Sequence, residues 1–124
     1  MRLSGRALVQ AEEDKSVIIR CEYGPRYRDN TKYWCRGHVY ELCKIVVKTS
    51  GPRVRGRSTI TEDKDAGVFN VIISSLRQSD KDQYWCVIAK PGRNAYTGVY
   101  LYIHQTGNGT PNSGTSPSKK FHKT

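Results

Sequence analysis

The chain is poor in the features that build catalytic and membrane-spanning proteins. No apolar run approaches the roughly 18 residues that a membrane-crossing helix requires, and the opening MRLSGRALVQ is too polar for the apolar centre of a secretory leader. If the chain belongs to a surface receptor, its leader and its anchor are expected outside these residues, and Met1 reads as an added start. Histidine is scarce: His38, His104 and His122 are unrelated in spacing, and no two cysteines form the Cys-x-x-Cys pair used by zinc sites and thiol redox centres. Neither a Ser–His–Asp set nor a pair of cooperating carboxylates can be assembled, since Asp63 and Asp65 merely flank a lysine in a turn. No enzymatic activity, cofactor or metal is expected. Acids are also few, 11 against 21 basic residues, leaving a formal charge of +10. That excess favours anionic partners without choosing among them.

What is present is an even number of cysteines, four in 124 residues, a length with room for one core and a tail. Such usage indicates disulfides made outside the cytosol. Trp34 lies between Cys21 and Cys86, which fits two facing sheets joined by one bridge with the indole packed against it. Alternation supports the sheets. Val17, Ile19, Cys21 and Tyr23 share one face, as do Phe69, Val71 and Ile73, then Tyr84, Cys86 and Ile88, then Val99, Leu101 and Ile103. Residues 5–11 read as an edge strand, Glu12 to Asp14 as a polar turn, 45–47 and 58–61 as strands, and 24–31, 48–55 and 90–96 as loops.

If Trp34 points inward, Tyr33 and Cys35 point outward, and Cys35 is on the wrong face to meet Cys21 or Cys86. Its expected partner is Cys43, across a hairpin. Loop-closure entropy assigns about 4 kcal/mol to Cys21–Cys86 and about 2–3 kcal/mol to Cys35–Cys43. From about residue 104 the chain turns to Gln, Thr, Gly, Asn, Pro and Ser without periodicity, a composition that buries too little apolar surface to fold. Residues 1–4 thus lie before the domain, 5–103 form it, and 104–124 read as a stalk in which Asn108 heads a glycosylation acceptor. Lys119, Lys120 and Lys123 would be juxtamembrane if the chain continued, or an end if it did not.

Cys21, Trp34, Arg57, Asp80, Tyr84 and Cys86 together resemble the signature of a variable-type immunoglobulin domain. The resemblance implies an all-β sandwich, with Arg57 and Asp80 as the salt bridge that closes its lower end. Lys32-Tyr33-Trp34-Cys35, the additional Cys43 and Tyr84-Trp85-Cys86 are similar to a narrower group. That group comprises the polymeric immunoglobulin receptor, leukocyte mono-immunoglobulin-like receptors, myeloid triggering receptors and the novel immunoglobulin-like transcripts of bony fish. It implies a single-pass leukocyte surface receptor, with an extra disulfide between the strand of Trp34 and the next one. Signalling would run through cytoplasmic tyrosine motifs or an adaptor recruited in the membrane, none of which lies in this chain. Asp82 stands where the group usually carries Gly or Ala, and Lys81 where it carries Ser. Some relatives bind lipids with calcium held by acids near residues 90–96, but that loop has no carboxylate here, so no calcium site carries over.

The three loops 24–31, 48–55 and 90–96 are expected at one end, bringing Arg26, Arg28, Lys48, Arg53, Arg55, Lys90 and Arg93 together against the single acid Asp29. Such a rim would steer an anionic protein, glycan or lipid headgroup. Tyr27 and Tyr96 would serve as apolar anchors among the charges. The competing account is a solvated loop set in a basic protein. Tyr33, Trp85, Tyr100 and Tyr102 are placed on the outward sheet face, where an aromatic strip marks an interface; for Trp85 the simpler role is to cover the second disulfide. The resulting reading is an extracellular recognition domain. Its alternatives are an immunoglobulin-binding transport or adhesion module, and a secreted basic protein that binds nucleic acid or microbial surfaces by charge. The last predicts affinity falling steeply and unselectively with salt, and nucleic acid is the disfavoured partner.

Overall fold

The computed structural model describes residue 3 and residues 7–106. The described residues form nine strands: β1 (Leu8–Glu12), β2 (Val17–Glu22), β3 (Lys32–Arg36), β4 (Lys44–Lys48), β5 (Val54–Arg55), β6 (Ser58–Asp63), β7 (Val68–Ile73), β8 (Asp82–Ile88) and β9 (Ala95–His104). They build a five-stranded sheet in the order β1-β9-β8-β3-β4 and a four-stranded sheet in the order β2-β7-β6-β5. The first strand runs parallel to β9 with Leu8 opposite Tyr100 and Glu12 opposite His104. Pairing with β9 thus carries Glu12 into the strand, past the boundary expected from composition. Residues 4–6 and the expected stalk beyond 106, including Asn108, lie outside the described residues.

Every inward residue expected from alternation in β7, β8 and β9 is buried, as are Ile19 and Cys21 of β2 and Tyr23 just after it. Cys21–Cys86 joins the two sheets, and Cys35–Cys43 joins β3 to the start of β4. Trp34 is fully buried and stacks on Tyr84 with ring centroids 4.9 Å apart and planes 8° from parallel. Stacked in this way, the two large rings fill the space between the sheets.

The lower end is closed by hydrogen bonds around Asp80. Arg57 grips its carboxylate through two bonds of 2.9 and 2.8 Å, and also donates to the carbonyls of Ser74 and Ser75. The Arg77 amide donates to the same carboxylate at 2.9 Å, and the Tyr84 hydroxyl donates to the Asp80 carbonyl at 2.7 Å. Burial alone would push the Asp80 carboxyl up, but the Arg57 guanidinium and the Arg77 amide outweigh it and hold the group below its ordinary range. Asp82, the departure from the group pattern, is bound by Arg36 Nε at 2.8 Å, while Arg36 Nη2 reaches the Ser79 carbonyl. The Asp82 charge is thus matched locally by Arg36.

One segment departs from expectation. Val54 and Arg55 fall in the expected loop but form β5, which pairs with β6 in the four-stranded sheet. That placement leaves β4 as an edge of the other sheet. Arg55 Nη1 donates to the Ile45 carbonyl at 3.0 Å, with Val46 O at 3.5 Å, occupying acceptors on that edge. Lysines at both ends of β4 add charge that discourages strand addition.

Candidate functional site

The upper end is built by the loops after β2, β4 and β8, as expected, and by a fourth element, the turn between β6 and β7. Gly67 in that turn has φ +71°, and a Cβ there would come within 3.0 Å of the Gly24 backbone. Only glycine permits that approach, and it lets the amides of Tyr23 and Gly24 donate to Gly67 O at 2.8 and 3.3 Å. The same turn supplies Asp65, which accepts a 2.8 Å bond from Arg28 Nη1 and raises the guanidinium pKa further. Lys64 lies 3.9 Å from Asp29. With this turn included, Asp63 and Asp65 join Asp29, so the rim is less one-sided than the three loops implied.

The seven cations expected there separate into groups. Arg28 is neutralised by Asp65. Arg55 is drawn toward the lower part of β4 by the Ile45 carbonyl, and so leaves the rim because its segment is a strand rather than a loop. Arg53 bonds the Thr49 carbonyl through Nε at 3.0 Å. Lys90 lies over the Tyr27 ring, 5.7 Å from its centroid. Among the described residues, Arg26, Lys48, Lys90 and Arg93 form no ion pair. Arg26, Lys48 and Arg93 are exposed. Tyr27 is corrected outright: it closes a 3-10 turn, Pro25–Tyr27, that tucks its ring into the core at 9 % exposure, so it is no rim anchor.

Tyr96 stays exposed and belongs to an aromatic cluster on the outward sheet face. It stacks on Tyr40 with centroids 3.8 Å apart, and both rings meet Trp85 edge-on at 5.7 Å. Asn94 Nδ2 donates to the hydroxyls of Tyr33 and Tyr40 at 3.3 and 3.1 Å. Burial, then the hydrogen bond with Tyr40, pushes the Tyr33 hydroxyl up to about 12. Trp85 lies beside Cys35 and Gly98 in the strand register, and its Nε1 donates to Gly37 O at 2.8 Å. A Cβ at Gly98 would come within 2.9 Å of the indole, so this glycine makes room for it. Cys35 is fully buried yet outside the inter-sheet core, in keeping with the covering role expected for Trp85. Tyr100 and Tyr102 are 40 % and 39 % exposed on the same sheet, and Lys81 sits 5.1 Å over the Tyr102 ring. Tyr40 was not foreseen, because only the folding of the Cys35–Cys43 hairpin back over the sheet brings it to Tyr96.

An interior group was also missed. Lys32 in β3 is fully buried, forms an ion pair with the buried Glu62 of β6, and lies 4.1 Å over the Tyr23 ring. Tyr23 donates to the same Glu62 oxygen at 2.6 Å, and Lys32 Nζ donates to the Arg28 carbonyl at 3.0 Å. The Tyr23 hydroxyl is pushed strongly up, by burial first and by the Glu62 bond second. The signal existed: Lys32 stands two residues before Trp34 and so shares its inward face.

This is a β-sandwich pinned by one inter-sheet disulfide, with a second bridge between β3 and the residue before β4. The immunoglobulin V-set domain model matches residues 5–106, and the chain belongs to that family. As a member of that family it is not an enzyme. CMRF35-like molecule 7 of Mus musculus is 34 % identical over 113 residues, covering 89 % of this chain and 54 % of the relative. CMRF35-like molecule 1 of Homo sapiens is 33 % identical over 105 residues, covering 82 % of this chain and 36 % of the relative. Among solved structures, the teleost fish polymeric Ig receptor ectodomain superposes with a TM-score of 0.76 at 30 % identity, covering 83 % of this chain and 50 % of that one. The chain thus spans about half or less of the length of these relatives. Among the described residues no helix is long and apolar enough to cross a membrane.

Proposed function

We propose that the chain is the ligand-recognition ectodomain of a cell-surface leukocyte receptor, engaging an anionic ligand at its upper rim. The observation that carries this reading is the set of rim cations without acidic partners, Arg26, Lys48, Lys90 and Arg93, beside the exposed Tyr96 ring. Cations left uncompensated on a rigid rim attract and orient a negative ligand, while an adjacent ring supplies contact area at low entropic cost. The similarity to CMRF35-like molecules supports the receptor class. Anchoring in the cell membrane, glycosylation of Asn108 and adaptor-mediated signalling accompany this reading and depend on the whole protein.

The test is a screen of the domain against arrays of sulfated and sialylated glycans and of anionic lipids. Binding is expected to vanish when Arg26, Lys48 and Arg93 are together replaced by Glu, and binding unaffected by that replacement would refute the reading. A second reading, an immunoglobulin-binding module, is favoured by the likeness to the polymeric Ig receptor ectodomain. Direct, saturable capture of polymeric immunoglobulin by the domain would install it in place of the first.

A further inference from the structure

A fully buried lysine is rare, and this one has three partners around its ammonium. Lys32 Nζ faces Glu62, the Tyr23 ring and the Arg28 carbonyl, and Tyr23 returns a hydrogen bond to Glu62. Burying an ammonium and a carboxylate costs each several kcal/mol of hydration, so an apolar pair of similar volume would serve the core at least as well. The fold alone gives no reason for the charge. The contact that an apolar residue cannot replace is the bond from Lys32 Nζ to Arg28 O in the loop after β2.

We propose that Lys32 is a positioning residue: from inside the sandwich it latches the loop after β2, with Glu62 supplying its counter-charge. The loop is then gripped from two sides: Ala89, just past β8, accepts from Asn30 Nδ2 at 3.0 Å and donates its amide to Thr31 O at 2.9 Å, and β6 with the turn that follows it holds the other side. Glu62 holds it through Lys32, Asp65 holds the Arg28 side chain from outside, and Gly67 O holds the amides of Tyr23 and Gly24. Arg28 is thereby fixed at both its carbonyl and its guanidinium, and its neighbour Arg26 is carried on a short turn anchored by the buried Tyr27. This deepens the reading of the rim as an anion site and rests on it for its consequence, though not for the latch itself.

Lys32→Met combined with Glu62→Gln removes both charges while leaving Tyr23 an acceptor, so no lone ion is stranded. The expected result is a melting temperature within a few degrees of the parent. The amides of Tyr27, Arg28 and Asn30, which close the loop by bonds to Gly24, Pro25 and Tyr27 carbonyls, should exchange with solvent at least tenfold faster while β-strand amides do not change. Unchanged loop exchange, or acceleration spread evenly over the domain, overturns the latch. Should the double variant fail to fold, NMR of the unaltered protein decides. A Lys32 ammonium protected from water and coupled to the Arg28 carbonyl supports the latch, and one exchanging as fast as surface lysines overturns it. Heparin affinity measured on the same double variant separates the two ideas. A loop that loosens with weaker heparin binding supports both, whereas a loop that loosens with heparin binding intact keeps the latch and removes the anion reading of this loop.

Discussion

The two ends of the sandwich are each closed by an arginine and an aspartate, yet the two pairs do different work. At the lower end Arg57 meets a nearly buried Asp80 through two bonds, and that carboxylate also takes the Arg77 amide. At the upper end Arg28 meets Asp65 through one bond, with the Asp65 side chain 89 % exposed. In water an ion pair is offset by hydration and screened by salt, whereas a buried bidentate pair cannot be broken without stranding a charge. The lower pair therefore belongs to folding. The upper pair sets local charge and loop position, and its loss leaves the fold intact.

The largest expected effect falls between the ends. Replacing both Cys21 and Cys86 with Ala should cost about 4 kcal/mol, read as a lower denaturant midpoint, because the bridge restricts a long loop of the unfolded chain. Next is the lower pair. Asp80→Ala strands the Arg57 guanidinium and should cost about 2–3 kcal/mol, or roughly 10–15 °C in Tm. Its acid dependence follows from the depressed Asp80 pKa. A carboxylate held below its unfolded value stabilises above roughly pH 4 and ceases to do so as pH falls through the folded value. Melting temperature should hold from pH 7 to about 5 and then decline, and Asp80→Asn should remove part of that decline. The smallest effect is at the rim, where Arg28→Ala should leave Tm close to that of the parent, because the exposed pair is offset by hydration and screened by salt. An Arg28→Ala variant that destabilised the domain as much as Asp80→Ala would erase the distinction between the ends.

Those ends were not equally legible. The lower end reads directly from sequence, because Arg57, Asp80 and Tyr84 resemble a recurrent pattern and their partners are backbone groups near in the chain. The inward faces follow from period-two alternation, a rule that also places Lys32 inside once Trp34 is. Residue type argues the other way at that position, because lysine is so seldom buried. The upper rim reads poorly, since its charge balance depends on which loops meet. The turn carrying Asp65 is silent until Gly67 is seen against Gly24. Likewise Tyr27 looked exposed because it sits among Pro25, Arg26 and Arg28, and only the 3-10 turn sends its ring inward. Arg55 left the rim because a two-residue strand followed the other sheet.

The most direct test measures Tm and heparin affinity side by side for two proteins. One carries Asp80→Ala, and the other carries Arg26, Lys48 and Arg93 all replaced by Glu. The account predicts that the first melts early yet binds heparin normally while folded, and that the second melts as the parent does and binds none. A charge-reversed rim that bound heparin as tightly as the parent would contradict it.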